Sequence, residues 1–80
     1  MDILQEYHDE MIRIQSLNIP SDMKSLKQLN LDCTVRDKIA KRAVYDYDNI
    51  TPEVAMAYLK LNLNLPVEVK TILILIARGK

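Results

Sequence analysis

Pro66-Val67-Glu68-Val69-Lys70-Thr71-Ile72-Leu73-Ile74-Leu75-Ile76-Ala77-Arg78-Gly79 is the stretch on which the fold turns. Its β-branched residues suit an extended strand as well as a helix. A strand needs a neighbour, however, and no other segment has a comparable character, so it would have to pair with its own copy in a second chain. The opening proline, Glu68 in the first turn and the closing Arg78-Gly79 are the punctuation of a helix. A helix is therefore expected, with a β segment as the alternative. As a helix it would be greasy on nearly every side, because Val67, Val69, Ile72, Leu73, Ile74, Leu75 and Ile76 surround its axis.

Upstream, Thr51-Pro52-Glu53 combines a hydroxyl cap, proline at the first helical position and an acid near the positive end of the dipole. The helix it opens carries two apolar stripes, Val54, Ala57, Tyr58 and Leu61 on one and Met56, Leu59 and Leu63 on the other. Only Glu53, Lys60 and Asn62 are polar, so this helix should touch two neighbours. Residues 62 to 66 form the break that follows it.

Thr34, with Asp37 three residues on, has the pattern of a capping box and predicts another helix start. From there to about Tyr47, Val35, Ile39, Ala40, Ala43, Val44 and Tyr47 share an apolar face, while Lys38, Lys41, Arg42 and Tyr45 gather opposite. Between Asp22 and Leu31 the pattern allows either a short helix capped by Ser21 or a packed loop. The first segment, about residues 2 to 17, reads as an amphipathic helix. Asp2 and Gln5 suit a cap, Ile3, Leu4, Tyr7, Met11 and Ile14 share one face, and Asp9 can pair with Arg13.

Composition agrees with this all-α reading. The 80-residue chain suits a single helical domain, 1–80, built as a small four- to five-helix bundle. Hydrophobic residues make up 49% of it with no Phe or Trp, so aliphatic packing must build the core. One glycine, Gly79, leaves little for hairpin turns and nothing for a phosphate-cradling loop. The single Cys33 cannot close an internal disulfide, and no Cys/His cluster suggests a metal. A domain this small, without staples, depends on tight helix packing or on burial against a second chain.

Formal charge is zero, which disfavours a global attraction to nucleic acid or anionic lipid. The distribution is uneven: residues 1 to 22 hold five acids against Arg13, and residues 23 to 44 hold six bases against two acids. Such segments are expected to complement each other within the fold. No apolar run approaches the ~20 residues of a membrane span, and the acidic amino-terminal stretch does not resemble a basic leader. The expectation is a cytoplasmic protein.

Few residues suggest chemistry. His8 stands alone on the flank of its helix, with Asp9 and Glu10 turned elsewhere. Cys33 would precede the Thr34 cap, where a helix dipole and Arg36 would favour a thiolate, but no base accompanies it. Asp46 and Asp48 resemble the start of a calcium loop without its glycine and distal Glu. Tyr45, Tyr47 and Tyr58 are expected on the rim of that turn.

No enzyme, cofactor or small-molecule substrate is expected. The apolar excess of the carboxy-terminal half points instead to a non-enzymatic protein–protein interaction module, a small regulator, inhibitor or adaptor binding a protein partner or its own copy as a homodimer. Its candidate surface is Met56, Leu59, Leu63, Val67, Ile72, Ile74 and Leu75. The alternative is a helix-turn-helix-like DNA-binding regulator using Lys38, Lys41, Arg42 and Tyr45 on the basic face of residues 35–47. Against it, the following helix offers few polar side chains to read a groove.

Overall fold

A computed structural model describes residues 2 to 79. Four helices follow one another along the chain: α1 (Ile3–Ser16), α2 (Ser21–Tyr45), α3 (Pro52–Lys60) and α4 (Val67–Ala77), with one 3-10 turn, Tyr47–Asn49, between α2 and α3. No strand occurs among the described residues, and Pro66 to Gly79 takes the helical option. Arg78 ends α4 and Gly79 follows at φ 77°, the left-handed stop that only glycine adopts without cost.

The architecture is two helical hairpins sharing the long helix. α1 lies antiparallel along α2, with Lys24 Nζ reaching the Gln15 carbonyl at one end (2.9 Å) and Lys38 Nζ bonding Glu6 at the other (2.7 Å). The second hairpin, α3 with α4, packs on the carboxy-terminal part of α2. Because α2 has 25 residues, it runs about 37 Å and accounts for most of the molecule's 45 Å long dimension. The radius of gyration, 13.7 Å, exceeds the roughly 12 Å of a compact chain of this length, and the excess is the α1/α2 arm projecting past the second hairpin.

The long helix corrects the sequence reading. Thr34 is not a cap and no capping box forms with Asp37; residues 22–31 and the helix expected from Thr34 are one continuous α2. Nothing between Ser21 and Tyr45 is proline or glycine, and two of its cap-like residues find partners compatible with a helix. Thr34 Oγ1 donates to the Asn30 carbonyl one turn back (3.0 Å), and Asp32 accepts from the Tyr7 hydroxyl (2.8 Å). At the amino end, Asp2 does cap α1 by accepting from Leu4 N–H. Gln5, however, donates to Asp9 instead of completing a box, and Arg13 pairs with Glu10 instead of Asp9.

The core gathers where all four helices meet. Ile3 from α1, Val35, Ile39 and Ala43 from α2, Ala55 and Tyr58 from α3, and Val69 and Leu73 from α4 are buried there with Ile50, Leu63 and Leu65. Thr51 opens α3 as expected, accepting from Val54 N–H at 3.2 Å. The connection from α3 to α4 solves the shortage of glycine with asparagine: Asn62 and Asn64 both sit at φ 58°, a region Asn tolerates better than other L residues. Alternating with these exposed asparagines, Leu63 and Leu65 turn inward, at 7% and 5% exposure.

Asn64→Ala is expected to lower unfolding free energy by about 1 kcal/mol while Asn64→Gly stays near neutral, checked by urea denaturation; equal effects would refute the backbone explanation. Burial and the Asp32 carboxylate push the Tyr7 phenol up to about 12 from its ordinary value of 10.0. Because the folded protein holds that proton more tightly, the stabilisation is complete below pH 10 and is lost as pH rises toward 12. Ultraviolet titrations of the native chain and of Tyr7→Phe should differ by one phenol ionising near pH 12.

Candidate functional site

The surface of α4 follows from its wheel. Val69 and Leu73 face the core, Ile72, Ile76 and Ala77 lie at its edge, and Val67, Ile74 and Leu75 are exposed with Thr71 between them. Val67 is 76% exposed. An aliphatic helix of eleven residues thus spends only part of its apolar surface on its own fold.

On one side of α4 that surplus meets α2. Ile72, Leu75 and Ile76 face Ala43, Val44 and Tyr47 across an open groove of about 300 Å³. Val44 and Tyr47 are themselves about half exposed, and the only polar group on any lining side chain is the Tyr47 hydroxyl. On the α2 side its floor is the small, buried Ala43 beside Val44, and Tyr47, which leaves the helical path in the 3-10 turn, lines it as well. A second shallow hollow continues from Tyr47 past Asp48, Ile50 and Pro52 to Gly79.

Arg42 holds this end together. Its guanidinium donates to the Tyr58 hydroxyl at 2.6 Å and to the Asn49 carbonyl at 3.2 Å, and lies 3.7 Å from the Asp46 carboxylate. Asn49 in turn donates to Asp46 at 2.6 Å. Tyr58 corrects the expectation that it lines the rim of the turn: it is fully buried, and its hydroxyl is the point where Arg42 reaches the core. Tyr45 and Tyr47 are the exposed ones.

Set against this geometry, the seven apolar candidates separate. Ile72 and Leu75 line the groove, Val67 and Ile74 share the outward face of α4, and Met56 is exposed on α3 outside the groove. Leu59 is half-buried against the core. Leu63 belongs to the core itself, a correction whose cause is that α3 stops at Lys60 and the Asn62 and Asn64 backbone turns Leu63 inward. Ala43, Val44 and Tyr47 were on an apolar face in the sequence but could not be joined to the α4 residues without the fold.

The chain matches no known protein family, no curated protein and no solved structure.

The basic residues do not gather into a free face. Lys38 is bonded to Glu6, Arg42 is engaged as above, and Lys41 and Tyr45 are exposed. This pairing is also how the acidic first segment meets the basic second one. Cys33 is exposed in the middle of α2, far from any helix start, with Arg36 Nη2 3.6 Å from its sulfur. His8 is exposed. No group of three or more His, Cys, Asp or Glu among the described residues is arranged to hold a metal ion, and no described helix is long and apolar enough to cross a membrane.

Replacing Arg42 by Met keeps the packing of its stem but removes the bonds to Tyr58 and Asn49. Unfolding free energy should fall by about 1–2 kcal/mol, with faster amide exchange at Asn49 and Ile50. Unchanged exchange there would show that Arg42 does not anchor the turn.

Proposed function

We propose that the chain is a non-enzymatic interaction module whose α2/α4 groove receives an apolar helical segment of a partner protein. The observation that carries this reading is the groove between Val44, Tyr47, Ile72 and Leu75, beside which Ile74 and Val67 are exposed on the outward face of α4. An amphipathic helix recognised by a groove places side chains at i, i+3 or i+4 and i+7 into it. Tyr47 adds an aromatic ring with a polar tip, the kind of side chain enriched at protein interfaces. Leu75, Ile74 and Tyr47, each about half exposed, would contribute at most about 1.5–3 kcal/mol for each side chain taken fully out of water, so the buried face of the incoming helix must supply the rest of the affinity. A small regulator, inhibitor or adaptor works through such a surface without a catalytic group.

Selection from a displayed library of helical peptides tests this. Amphipathic peptides with apolar residues at helical spacing should be enriched, and Leu75→Glu should abolish their binding while Lys41→Glu leaves it intact. Leu75 is exposed, so both variants should keep the native helical signal and melting profile. Failure to enrich any apolar helix, or binding indifferent to Leu75→Glu, overturns the reading.

A further inference from the structure

A second surface lies on α2, amino-terminal to the groove. Asp22, Leu26, Leu29, Cys33 and Arg36 follow one another at spacings of four, three, four and three residues, the seam of a helix made to pack lengthwise on another. The same spacing continues to Ala40 and Ala43, where the second hairpin of the chain covers it. Over the arm nothing in the described chain does: Leu26 and Leu29 are 61% and 60% exposed, and Cys33 is exposed between them and Arg36.

The charges at its ends identify what fits. Asp22 and Arg36 each lie seven residues from Leu29, on opposite sides, which is about 10 Å along the helix. An antiparallel copy centred on Leu29 therefore sets each Asp22 beside the partner's Arg36, twice over, with Leu26 and Leu29 of both chains closing the middle. Neither side chain has a carboxylate–cation partner within the described chain: Asp22 accepts only from Met23 N–H, and the Arg36 guanidinium rests on the Cys33 sulfur at 3.6 Å. Asp37, beside the seam, would fall near the amino end of the partner's α2, where a helix dipole favours an acid. A parallel copy would instead stack Asp22 on Asp22 and Arg36 on Arg36. The formal charge of zero leaves no net repulsion to overcome.

We infer that the exposed half of this seam is a self-association site at which two copies pair antiparallel through α2. The leucine layer is short, so the dimer is a weak one in fast exchange, formed in the micromolar range and above. Its residues, Asp22 to Arg36, lie amino-terminal on α2 to Ala43 and Val44, which line the α2/α4 groove.

Sedimentation equilibrium on the full chain across a concentration series tests the site. Leu26→Glu should yield monomer at concentrations where the native chain dimerises. Asp22→Arg and Arg36→Asp should each weaken the dimer by about tenfold, and the double swap should restore it. A failure of the double swap to restore association overturns the antiparallel arrangement, as does rapid Cys33–Cys33 disulfide formation in the dimer, since the two thiols are offset along the seam only when the helices are antiparallel. A chain still monomeric at about 1 mM, or one whose dimer resists Leu26→Glu but yields to Leu75→Glu, overturns the site itself. Peptide capture at the groove would be untouched by Leu26→Glu, so the two surfaces can fail separately.

Discussion

Everything in this molecule depends on the meeting of Ile39, Tyr58 and Leu73, three large side chains from α2, α3 and α4 that are withdrawn from water almost completely. With no Phe or Trp available, Tyr58 is the one aromatic ring in the buried core. A buried phenol is tolerable only if its hydroxyl is bonded. Arg42 supplies that bond from the rim while its other nitrogens tie down the 3-10 turn. Core packing and turn geometry are thereby joined through one guanidinium, and no buried side-chain nitrogen or oxygen among the described residues lacks a partner.

This core is placed off-centre, and the placement shapes the surface. The second hairpin covers only the carboxy-terminal part of α2, so the remainder of that long helix has only α1 beside it. The arm is sealed from within by Ile14 and the half-buried Leu31, and is tied across by Tyr7 to Asp32 and Glu6 to Lys38. Its outer side keeps Leu26 and Leu29 in water. At the other end, α4 has more aliphatic surface than α2 and α3 cover, and part of the surplus lines the groove with Val44 and Tyr47. A chain of this size buries a modest share of its surface, and both exposed apolar regions are consequences of that limit acting on an elongated shape.

Much of the local structure was legible in the residues. Asp2 and Thr51 cap the helices they were read to cap, and Gly79 stops α4, because such signals act over one turn and need no tertiary partner. Thr34 shows where that reasoning ends. Its hydroxyl can cap a helix or bond back to the previous turn with similar ease, and the choice was made by α1 lying along α2 on both sides of the expected start. Leu63 is a parallel case: extending the helix pattern of α3 by three residues puts it on an outer stripe, whereas two asparagines in left-handed conformation put it in the core.

By itself the sequence determined that the chain is helical, that aliphatic packing holds it, and where most helices begin and end. These are matters of periodicity, backbone chemistry and the near absence of glycine, all of which act between residues a few positions apart. Only the tertiary structure decided which apolar residues stay in water. Ile72 and Leu73 are equally hydrophobic neighbours, yet Leu73 is buried and Ile72 lines an open groove. That division depends on how far one hairpin reaches along another helix, a distance set by packing between segments remote in the chain.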